Sequence, residues 1–326
     1  MKQKTRLLLS VWAVMLVSTL GAFLACWYVI DAETHMRYAG RMSVSGEKIA
    51  KTIRGMEMNA VNVFDEVGKH LDSPDAVVQA LESKVHLGTD VRGYFAAFEP
   101  SYFPQKGRWF EPYVHQSDSA GFVMSQVGSA RHDYTKSGWY VKAKESSESF
   151  WSDPYYYYDG TNISGHYCTF VKPVFDQAGK LACVCGADVT FEWLSKELAL
   201  IDREHRKDEM MNQYGMLRDL DSYTIILDAD GTSIAHPEGK RVLTTDRRVL
   251  KDMKEKRSGT FEIDVNGVRS TVYYGPIQSL DWTVAVVVPH HDIVKPLWLM
   301  GLGLLAVLVV GMLVVWFAFR RYKSNV

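Results

Sequence analysis

The sequence predicts an α+β protein in which two antiparallel-sheet modules are stacked along a long N-terminal helix and flanked by two transmembrane helices. Three features carry this prediction. Long uncharged apolar stretches lie near both ends, a proline-free segment with helical periodicity follows the first of them, and short strand-like segments separated by Gly, Pro and Asp turns fill the remainder. At 326 residues the chain is longer than one typical domain.

The two apolar stretches, residues 7–30 and 297–319, contain no charged side chain. Each is longer than the ~20 residues that a helix needs to cross a hydrocarbon core of ~30 Å. A cleaved signal peptide is the alternative for the first stretch. However, the stretch exceeds the apolar length of a signal peptide, and the following DAETHM offers no small-residue cleavage site. We therefore expect a retained transmembrane helix.

Basic residues beside the apolar stretches predict the orientation. Three Lys and Arg residues lie within residues 1–6, and three more lie within the tail 320–326. Lys and Arg close to membrane spans stay cytoplasmic, so both termini are expected inside the cell and residues 31–296 outside the inner (cell) membrane. The tail is too short to fold, so a signalling output is expected in a separate cytoplasmic protein or in a longer chain from which this one is cut.

Charge and cysteine content narrow the function classes. The net charge of −1 gives no sign of a nucleic-acid-binding surface. Cys183 and Cys185 share one face of a predicted strand, a poor geometry for a mutual disulfide, while a bridge from Cys168 to either one stays open. Buried free thiols are the favoured interpretation. Neither a metal site nor a cofactor is predicted, because no ligand spacing or binding motif is present.

Residues 31–71 are expected to form the long helix. The segment has no proline, and its apolar residues recur at three- and four-residue steps, at Met42, Ile49, Ile53, Met56, Ala60 and Val63. At 1.5 Å per residue, ~40 residues give a rod of ~60 Å, long enough to span two stacked modules. Ser73-Pro74-Asp75 then starts a second helix, with Ser or Asp as its cap.

The first module is expected to combine strands with one helix. The predicted strands are residues 92–98, 155–158, 166–175 and 180–189, and the predicted helix is residues 135–145. Residues 100–133 mix Pro, Gly and aromatic residues without helical period, which indicates pocket-covering loops with at most one short strand. The last two strands form a hairpin that carries Asp188 at its end.

A charged helical connector, residues 196–218, leads to a smaller second module at 219–290. Its predicted strands are residues 222–227, 232–235, 259–265, 268–275 and 282–288, and its predicted helix is residues 247–256. The turn Asp228-Ala-Asp-Gly resembles part of a calcium loop but lacks the later ligands, so a hairpin turn is expected there.

Aromatic residues and a lone strand-end carboxylate are concentrated between residues 134 and 188. Aromatic walls around a buried anion suit a small cationic or amine-bearing ligand. We expect Trp139, Tyr140 and Asp188 to line this pocket, with Asp188 binding the cationic group. The alternatives are core packing for Trp139 and a strand-end cap on backbone amides for Asp188.

Further candidates flank these residues. Strand alternation sends two side chains of the run 155–158 inward, and Tyr156 and Tyr158 are the favoured pair. Asp159 is either a turn residue or a ligand contact. Trp109 is expected to pack near the pocket, together with Phe110 and Tyr113.

Several motifs occur in a characteristic order. The second module contains SYTIILDADGTSIAHPEGK and GPIQSLDWTVAVVVPHHDI, and the first contains SGWY, FWSDPYY and KPVFDQAGKLACVCGADVTFEWL. Over residues 31–293 the chain thereby resembles the double Cache family, the PAS-like extracytoplasmic sensor domains of bacterial chemoreceptors and sensor kinases. The resemblance implies that a membrane-distal module, 72–195, binds ligand and that the proximal module, 219–290, does not.

The resemblance also assigns roles to residues. In the amino-acid-binding subset of that family, an Arg-x-Trp-Tyr helix holds the ligand carboxylate and a later Asp holds its amine. Trp139, Tyr140 and Asp188 occupy the Trp, Tyr and Asp positions.

The Arg position of that motif is Ser137 here. A serine cannot form the bidentate contact that a guanidinium forms with a carboxylate. Lys136 or Arg131 could supply a positive charge from nearby. An amine or another small metabolite is therefore as consistent with the resemblance as an α-amino acid.

Three functions fit these features. The favoured one is a bacterial sensor, expected to be a homodimer, that passes ligand binding through small helix displacements to a signalling partner or to the output domain of a longer receptor. The second is a membrane-anchored binding subunit for a transporter or a partner protein. The third is an extracytoplasmic enzyme, but the sequence has no P-loop, GxSxG or HExxH motif, so no catalytic residue is assigned.

Overall fold

A helix of 67 residues, α1 (Lys2–Gly68), runs along the whole fold. The computed structural model describes residues 2–84, 91–117, 121–152, 154–158, 164–212, 221–235, 242–277 and 280–324. The apolar residues that predicted the long helix are all buried, from Met42 at 7% exposure to Val63 at 0%. No proline interrupts the chain between the first apolar stretch and this rod, so the two form one helix, which ends at Gly68 instead of residue 71.

The second helix, α2 (Pro74–Lys84), begins where the sequence predicts it. The Ser73 hydroxyl oxygen accepts the backbone N–H of Ala76 at 3.3 Å and so caps the first turn. Val77 and Leu81 of α2 belong to the same apolar core as the C-terminal part of α1. This core covers one face of the first sheet.

Within the described residues, the first sheet has seven antiparallel strands. They are β1 (Gly93–Phe98), β2 (Pro112–Ser117), β3 (Gly121–Gln126), β4 (Phe150–Trp151), β5 (Tyr155–Tyr158), β6 (Ser164–Phe175) and β7 (Leu181–Thr190). Their order across the sheet is β3-β2-β1-β7-β6-β4, and β5 also pairs with β6. Helix α3 (Gly138–Ser146) lies between β3 and β4 in the chain.

The structure corrects the prediction for residues 100–133. Instead of loops with at most one strand, this stretch forms β2 and β3, paired from Pro112 opposite Gln126 to Ser117 opposite Gly121. β2 also pairs with β1, so the hairpin widens the sheet. The sequence conceals these strands because β2 begins with a proline and β3 is only partly buried, which weakens the alternation of apolar and polar residues.

Side chains of β7 alternate between two buried faces of the first sheet. Cys183 and Cys185 face the core beneath α1 and α2, whereas Val184 faces the core beneath α3. Asp188 has the same parity along the strand as Val184 and therefore points to the α3 side. A sheet covered on both faces explains why this strand is almost continuously apolar.

The buried thiols agree with the favoured interpretation. Cys168, Cys183 and Cys185 form no disulfide among the described residues and are at most 2% exposed. The sulfur atoms of Cys183 and Cys185 are 3.8 Å apart, which is far longer than a disulfide bond.

The connector helix α4 (Phe191–Asn212) follows β7 directly and leads to the second module. Its sheet contains β8 (Tyr223–Leu227), β9 (Ser233–Ala235), β10 (Gly259–Val265), β11 (Val268–Pro276) and β12 (Thr283–Pro289), in the order β10-β11-β12-β8-β9. Helix α5 (Arg247–Lys254) precedes β10. The hairpin turn at Asp228 is confirmed, because its Oδ1 accepts the backbone N–H groups of Asp230 and Thr232, each at 2.9 Å.

A buried ion pair fastens α1 to the second module. Arg41 donates from Nη2 to Asp202 Oδ1 at 2.9 Å and from Nη1 to Ser222 Oγ at 2.7 Å. Asp202 belongs to α4, and its carboxylate also accepts the backbone N–H and the hydroxyl of Thr224 on β8. One network therefore joins the long helix, the connector and the second sheet.

The last helix, α6 (His290–Ser324), continues from β12 without a break. By length and composition, α1 and α6 could each cross a membrane, and their apolar windows are not buried within the protein. The two helices lie side by side, with Gly301 near Phe23 and Gly311 near Met15. The predicted α+β fold class, with two antiparallel sheets along a long helix and two apolar helices, is confirmed, while the exact limits of the modules stay predictions.

Candidate functional site

A cavity of about 510 Å³ lies on the α3 side of the first sheet. Phe95 of β1, Trp139 of α3 and Phe150 of β4 form apolar walls. The ring centroids of Phe95 and Trp139 are 5.0 Å apart. Pockets for small molecules usually measure about 300–1,000 Å³ and are mostly apolar with a few polar groups, so this cavity has the size of a metabolite site.

Asp188 projects into the cavity and is 8% exposed. Thr169 stands directly opposite it on β6, and its hydroxyl donates to Asp188 Oδ1 at 2.6 Å. The Tyr155 hydroxyl lies 2.7 Å from Thr169 Oγ1 and 3.4 Å from Asp188 Oδ1. Among the described residues the Asp188 carboxylate bonds to hydroxyls and not to backbone amides, which contradicts the alternative of a strand-end cap.

Burial sets the protonation behaviour of this carboxylate. Desolvation raises the pKa of Asp188 to about 6, although the neighbouring hydroxyls lower it. Near neutral pH the group is therefore ionised in an aromatic surrounding, where a cation from solution would be favoured as a partner.

A second buried carboxylate, that of Glu111, lines the same cavity just before β2. The residue is 3% exposed, and its Oε2 has no hydrogen-bond partner within the described ranges. His132 Nε2 lies 3.7 Å from this oxygen, close enough for an ion pair but too far for a hydrogen bond. Desolvation, followed by the charge of Asp188, raises the pKa of Glu111 well above its usual value.

Two more polar groups reach the cavity. Tyr113, two residues after Glu111, is 4% exposed, and its hydroxyl lies beside Asp188. Lys142 lies at the rim, with its Nζ 4.3 Å from the ring centroid of Phe150. It follows Gly138, another lining residue, by four positions and so lies on the same face of α3.

The predicted Trp-Tyr pair is divided between two environments. Trp139 lines the cavity, but Tyr140 is 2% exposed and belongs to the core beneath α3. The Tyr140 hydroxyl donates to Glu99 Oε1 at 2.8 Å, and Lys144 donates to the same oxygen at 2.7 Å. The expected pocket position of Tyr140 is thus corrected, because successive residues of a helix point about 100° apart.

The predicted phase of the tyrosine run is corrected, although Tyr156 does line the cavity. Tyr155 reaches the Asp188 network and Tyr157 also lines the cavity, whereas Tyr156 lines it at its mouth, where it is 62% exposed and packs on His166. The backbone of Tyr158 pairs with Ser164, but its side chain, like the whole of Asp159, lies outside the described residues.

Trp109 and Lys136 gather around Asp133 and do not line the cavity. The Trp109 indole donates to Asp133 Oδ1 at 3.2 Å, and Lys136 Nζ lies 3.4 Å from Oδ2 with its side chain 82% exposed. Their expected place in the pocket is corrected, because the Asp133 carboxylate attracts both side chains. The lysine at the rim is Lys142.

Sequence reasoning missed Glu111, Tyr155 and Lys142 as lining residues. The position of Lys142 could have been inferred from its four-residue spacing after Gly138, next to Trp139. Glu111 had no such signal, because it precedes a strand that was not predicted.

The geometry agrees with similarity to known sensor domains. Residues 77–196 match the family model "Methyl-accepting chemotaxis protein-like, first PDC sensor domain". No curated protein sequence matches the chain significantly.

Solved structures share the fold at low sequence identity. The periplasmic sensory domain of the Campylobacter jejuni chemoreceptor Tlp1 is 14% identical, with a TM-score of 0.64 over 82% of this chain and 99% of that one. The ligand-binding domain of the Pseudomonas fluorescens chemoreceptor CtaA, solved with L-isoleucine, is 18% identical, with a TM-score of 0.54 over 83% and 97%. The extracellular domain of the histidine-kinase candidate soHK1S-Z6 is 22% identical, with a TM-score of 0.61 over 83% and 99%.

These similarities show that the protein has the fold of a sensor domain. The resemblance to a Cache-type, PAS-like sensor domain is confirmed, and two helices that could each cross a membrane flank that domain.

Proposed function

We propose that this chain is the sensory part of a bacterial transmembrane signalling system, which binds a small amine-bearing metabolite through Asp188. The observation that carries the proposal is the Asp188 carboxylate itself, buried in an aromatic-walled cavity and held by hydroxyls. A buried charge is costly unless it is paired. An ammonium group would supply that charge, and the aromatic rings would add cation–π attraction.

Two positions in the cavity, Asp188 and Ser137, indicate the chemistry of the ligand. Structural neighbours were solved with amino acids, such as L-isoleucine in CtaA and asparagine in Mlp24. In this chain Asp188 offers the contact for an amine, but Ser137 lines the cavity at the place where a guanidinium would receive a carboxylate. Lys142 at the rim is a single flexible charge and does not replace the guanidinium fork. The amine is therefore the part of the ligand that the site supports best.

Strand β4 connects this cavity to α1. Phe150 and Ser152 line the cavity, whereas Trp151 between them faces the opposite side of the sheet. There its indole N–H donates to Glu57 Oε1 of α1 at 2.7 Å, and its ring centroid lies 6.4 Å from that of Trp282 beside β12. We propose that a ligand-dependent shift of β4 moves Trp151 and so displaces α1 relative to the second module.

The remaining assignments belong to the same proposal. Residues 31–296 lie outside the inner membrane and both termini inside, the chain forms a homodimer, and a cytoplasmic signalling protein or domain receives the displacement. Ligand binding can produce such a shift only if the ligand prefers one of the two helix arrangements. The chain acts in this scheme as a binding module and not as an enzyme.

A thermal-shift screen of the full chain in detergent micelles tests the ligand assignment. Amines, amino acids, carboxylates and purines are compared on the wild type and on Asp188→Asn. Binding to the folded state raises the melting temperature, so an amine-bearing compound should stabilise the wild type and not the variant. If only compounds without an amine stabilise the protein, or if Asp188→Asn responds like the wild type, the proposal is wrong.

A further inference from the structure

The cavity contains two buried carboxylates. Asp188 and Glu111 are 8% and 3% exposed and both line it. An oxygen atom that points into a cavity without a partner is costly in a folded protein, and Glu111 Oε2 is in this condition among the described residues. Such an atom beside a second buried carboxylate indicates that a bound molecule completes its hydrogen bond.

Neither Lys142 nor His132 donates a hydrogen bond to Glu111 Oε2 in the described part of the chain. Lys142 lies at the rim, stacked on the Phe150 ring, and no ion pair joins it to either carboxylate in the described part of the chain. His132 is the basic group nearest to Glu111, at 3.7 Å, and its ring also packs against Tyr157 at 5.2 Å between centroids. At that distance His132 donates no hydrogen bond to Glu111 Oε2, so among the described residues this oxygen stays available to a ligand in the cavity.

The strand register gives the approximate span between the two anionic groups. Gly93 of β1 pairs with Asp188 on one side and with His115 on the other, and Glu111 lies four residues before His115. The Cα atoms of Asp188 and Glu111 are therefore two strand spacings apart across the sheet and four residues apart along a strand. Together these separate them by roughly 16 Å. Because both side chains point into one cavity, their carboxylates are closer than the Cα atoms, on the order of 10 Å apart. The two nitrogens of a ligand would be closer still, because each one lies a hydrogen-bond length inside its carboxylate.

We propose that Glu111 is a second anionic contact and that the ligand carries two cationic groups, one on Asp188 and one on Glu111. A linear diamine of four or five carbons has the matching length. This inference rests on the proposed function, since it extends the same cavity from one cationic contact to two. It also explains why a guanidinium is not needed at position 137, because a diamine has no carboxylate to bind.

Three four-carbon compounds test the inference against the full chain in detergent micelles by isothermal titration calorimetry. They are 1-aminobutane with one cation, 1,4-diaminobutane with two, and 4-aminobutanoate with a cation and an anion. We expect the diamine to bind at least tenfold more tightly than the monoamine at pH 7.5, and 4-aminobutanoate to bind least tightly. Equal affinities for diamine and monoamine, or a preference for 4-aminobutanoate, would overturn the inference.

The variant Glu111→Gln separates a charged contact from a neutral hydrogen-bonding group. Gln keeps the size and the hydrogen-bonding capacity of a protonated Glu but removes the charge. The variant should remove the tenfold advantage of 1,4-diaminobutane over 1-aminobutane, so that the two compounds bind with similar affinity. Unaltered diamine affinity would mean that Glu111 acts as a neutral group, and would contradict the inference.

Two control variants show whether a negative result contradicts the diamine inference alone or the proposed function as well. Glu148→Gln, an exposed carboxylate in the same module, should leave all three affinities unchanged, and Asp188→Asn should abolish the binding of both amines. If the monoamine binds through Asp188 but the diamine gains nothing, only the inference fails. If no amine binds the wild type while its thermal unfolding stays cooperative, the proposed function fails with it.

Discussion

Thr169 stands directly opposite Asp188 on the neighbouring strand and donates a hydrogen bond of 2.6 Å to its carboxylate. Thr169 is fully buried, so this contact fixes the carboxylate orientation toward the cavity. Hydroxyl donors stabilise the ionised form, while burial disfavours it more strongly, and the pKa of Asp188 settles at about 6. The ionised Asp188 carboxylate therefore destabilises the folded protein, while Thr169 holds it in position.

The first prediction concerns stability without ligand. Because the pKa of Asp188 is raised in the folded state, from the usual 3.8 to about 6, the folded protein binds more protons than the unfolded chain between these values. Wild-type stability should therefore fall as pH rises from about 4 through about 6. At pH 7 we expect Asp188→Asn to be more stable than the wild type by about 3 kcal/mol.

Urea denaturation at several pH values checks this prediction. The stability difference between the variant and the wild type should vanish below about pH 4, where the carboxylate is protonated in both states. A variant that is less stable at pH 7, or a difference that does not change with pH, would show that Asp188 is not a strained ionised group.

The second prediction concerns Gly186, whose missing side chain makes room for Phe95. A Cβ at Gly186 would lie 2.1 Å from the Phe95 ring, which lines the cavity. Gly186→Ala should cost about 1–3 kcal/mol through overpacking and should weaken ligand binding as the ring moves into the cavity. Gly55→Ala is the control, because it has open space on α1 and should stabilise the protein by up to ~1 kcal/mol. A neutral Gly186→Ala in chemical denaturation would disprove this packing.

The third prediction concerns the contact between Trp151 and Glu57. Trp151→Phe removes the indole N–H but keeps an aromatic ring, so it should cost about 1 kcal/mol of stability and leave ligand affinity unchanged. In the wild type, ligand should alter hydrogen exchange of α1 around Glu57, and this change should be lost in the variant.

A matched control exists for that variant. Trp109→Phe also removes an indole bond to a carboxylate, that of Asp133, but lies away from α1. It should preserve the ligand effect on hydrogen exchange of α1. If Trp151→Phe preserves the effect as well, β4 is not the route from the cavity to the helix.

The fourth prediction compares two ion pairs between α1 and α4. Arg41 and Asp202 have side chains 3% and 8% exposed, whereas Lys48 and Glu204 are 43% and 63% exposed. Arg41→Met should destabilise the protein by about 3–5 kcal/mol, because Asp202 is left buried without its partner. Lys48→Met should change stability by at most about 1 kcal/mol. Similar losses in thermal or urea unfolding would contradict the structural role given to the buried pair.

The sequence could predict what depends on local periodicity. The long helix, the Ser73 cap, the terminal hairpin of the first module and the second sheet were all recognisable, because apolar spacing and turn residues mark them. The pair β2–β3 was not, since β2 is stabilised by pairing with β1, β3 pairs with β2, and only one of the two strands is largely buried.

Prediction of the site residues from the sequence is limited in the same way. In a run of four tyrosines the residues do not reveal which two point inward, because the phase is set by the pairing of Tyr155 with Tyr167 on β6. Asp188 was identifiable as a lone carboxylate at the end of an apolar strand. Glu111 could be placed only once its strand was known.

A crystal structure of the protein with the amine-bearing ligand that the thermal-shift screen selects tests directly whether Asp188 binds the amine. We expect a ligand nitrogen within hydrogen-bond distance of the Asp188 carboxylate, in the cavity walled by Phe95 and Trp139. A ligand bound elsewhere, or one in this cavity with no nitrogen against Asp188, would contradict it.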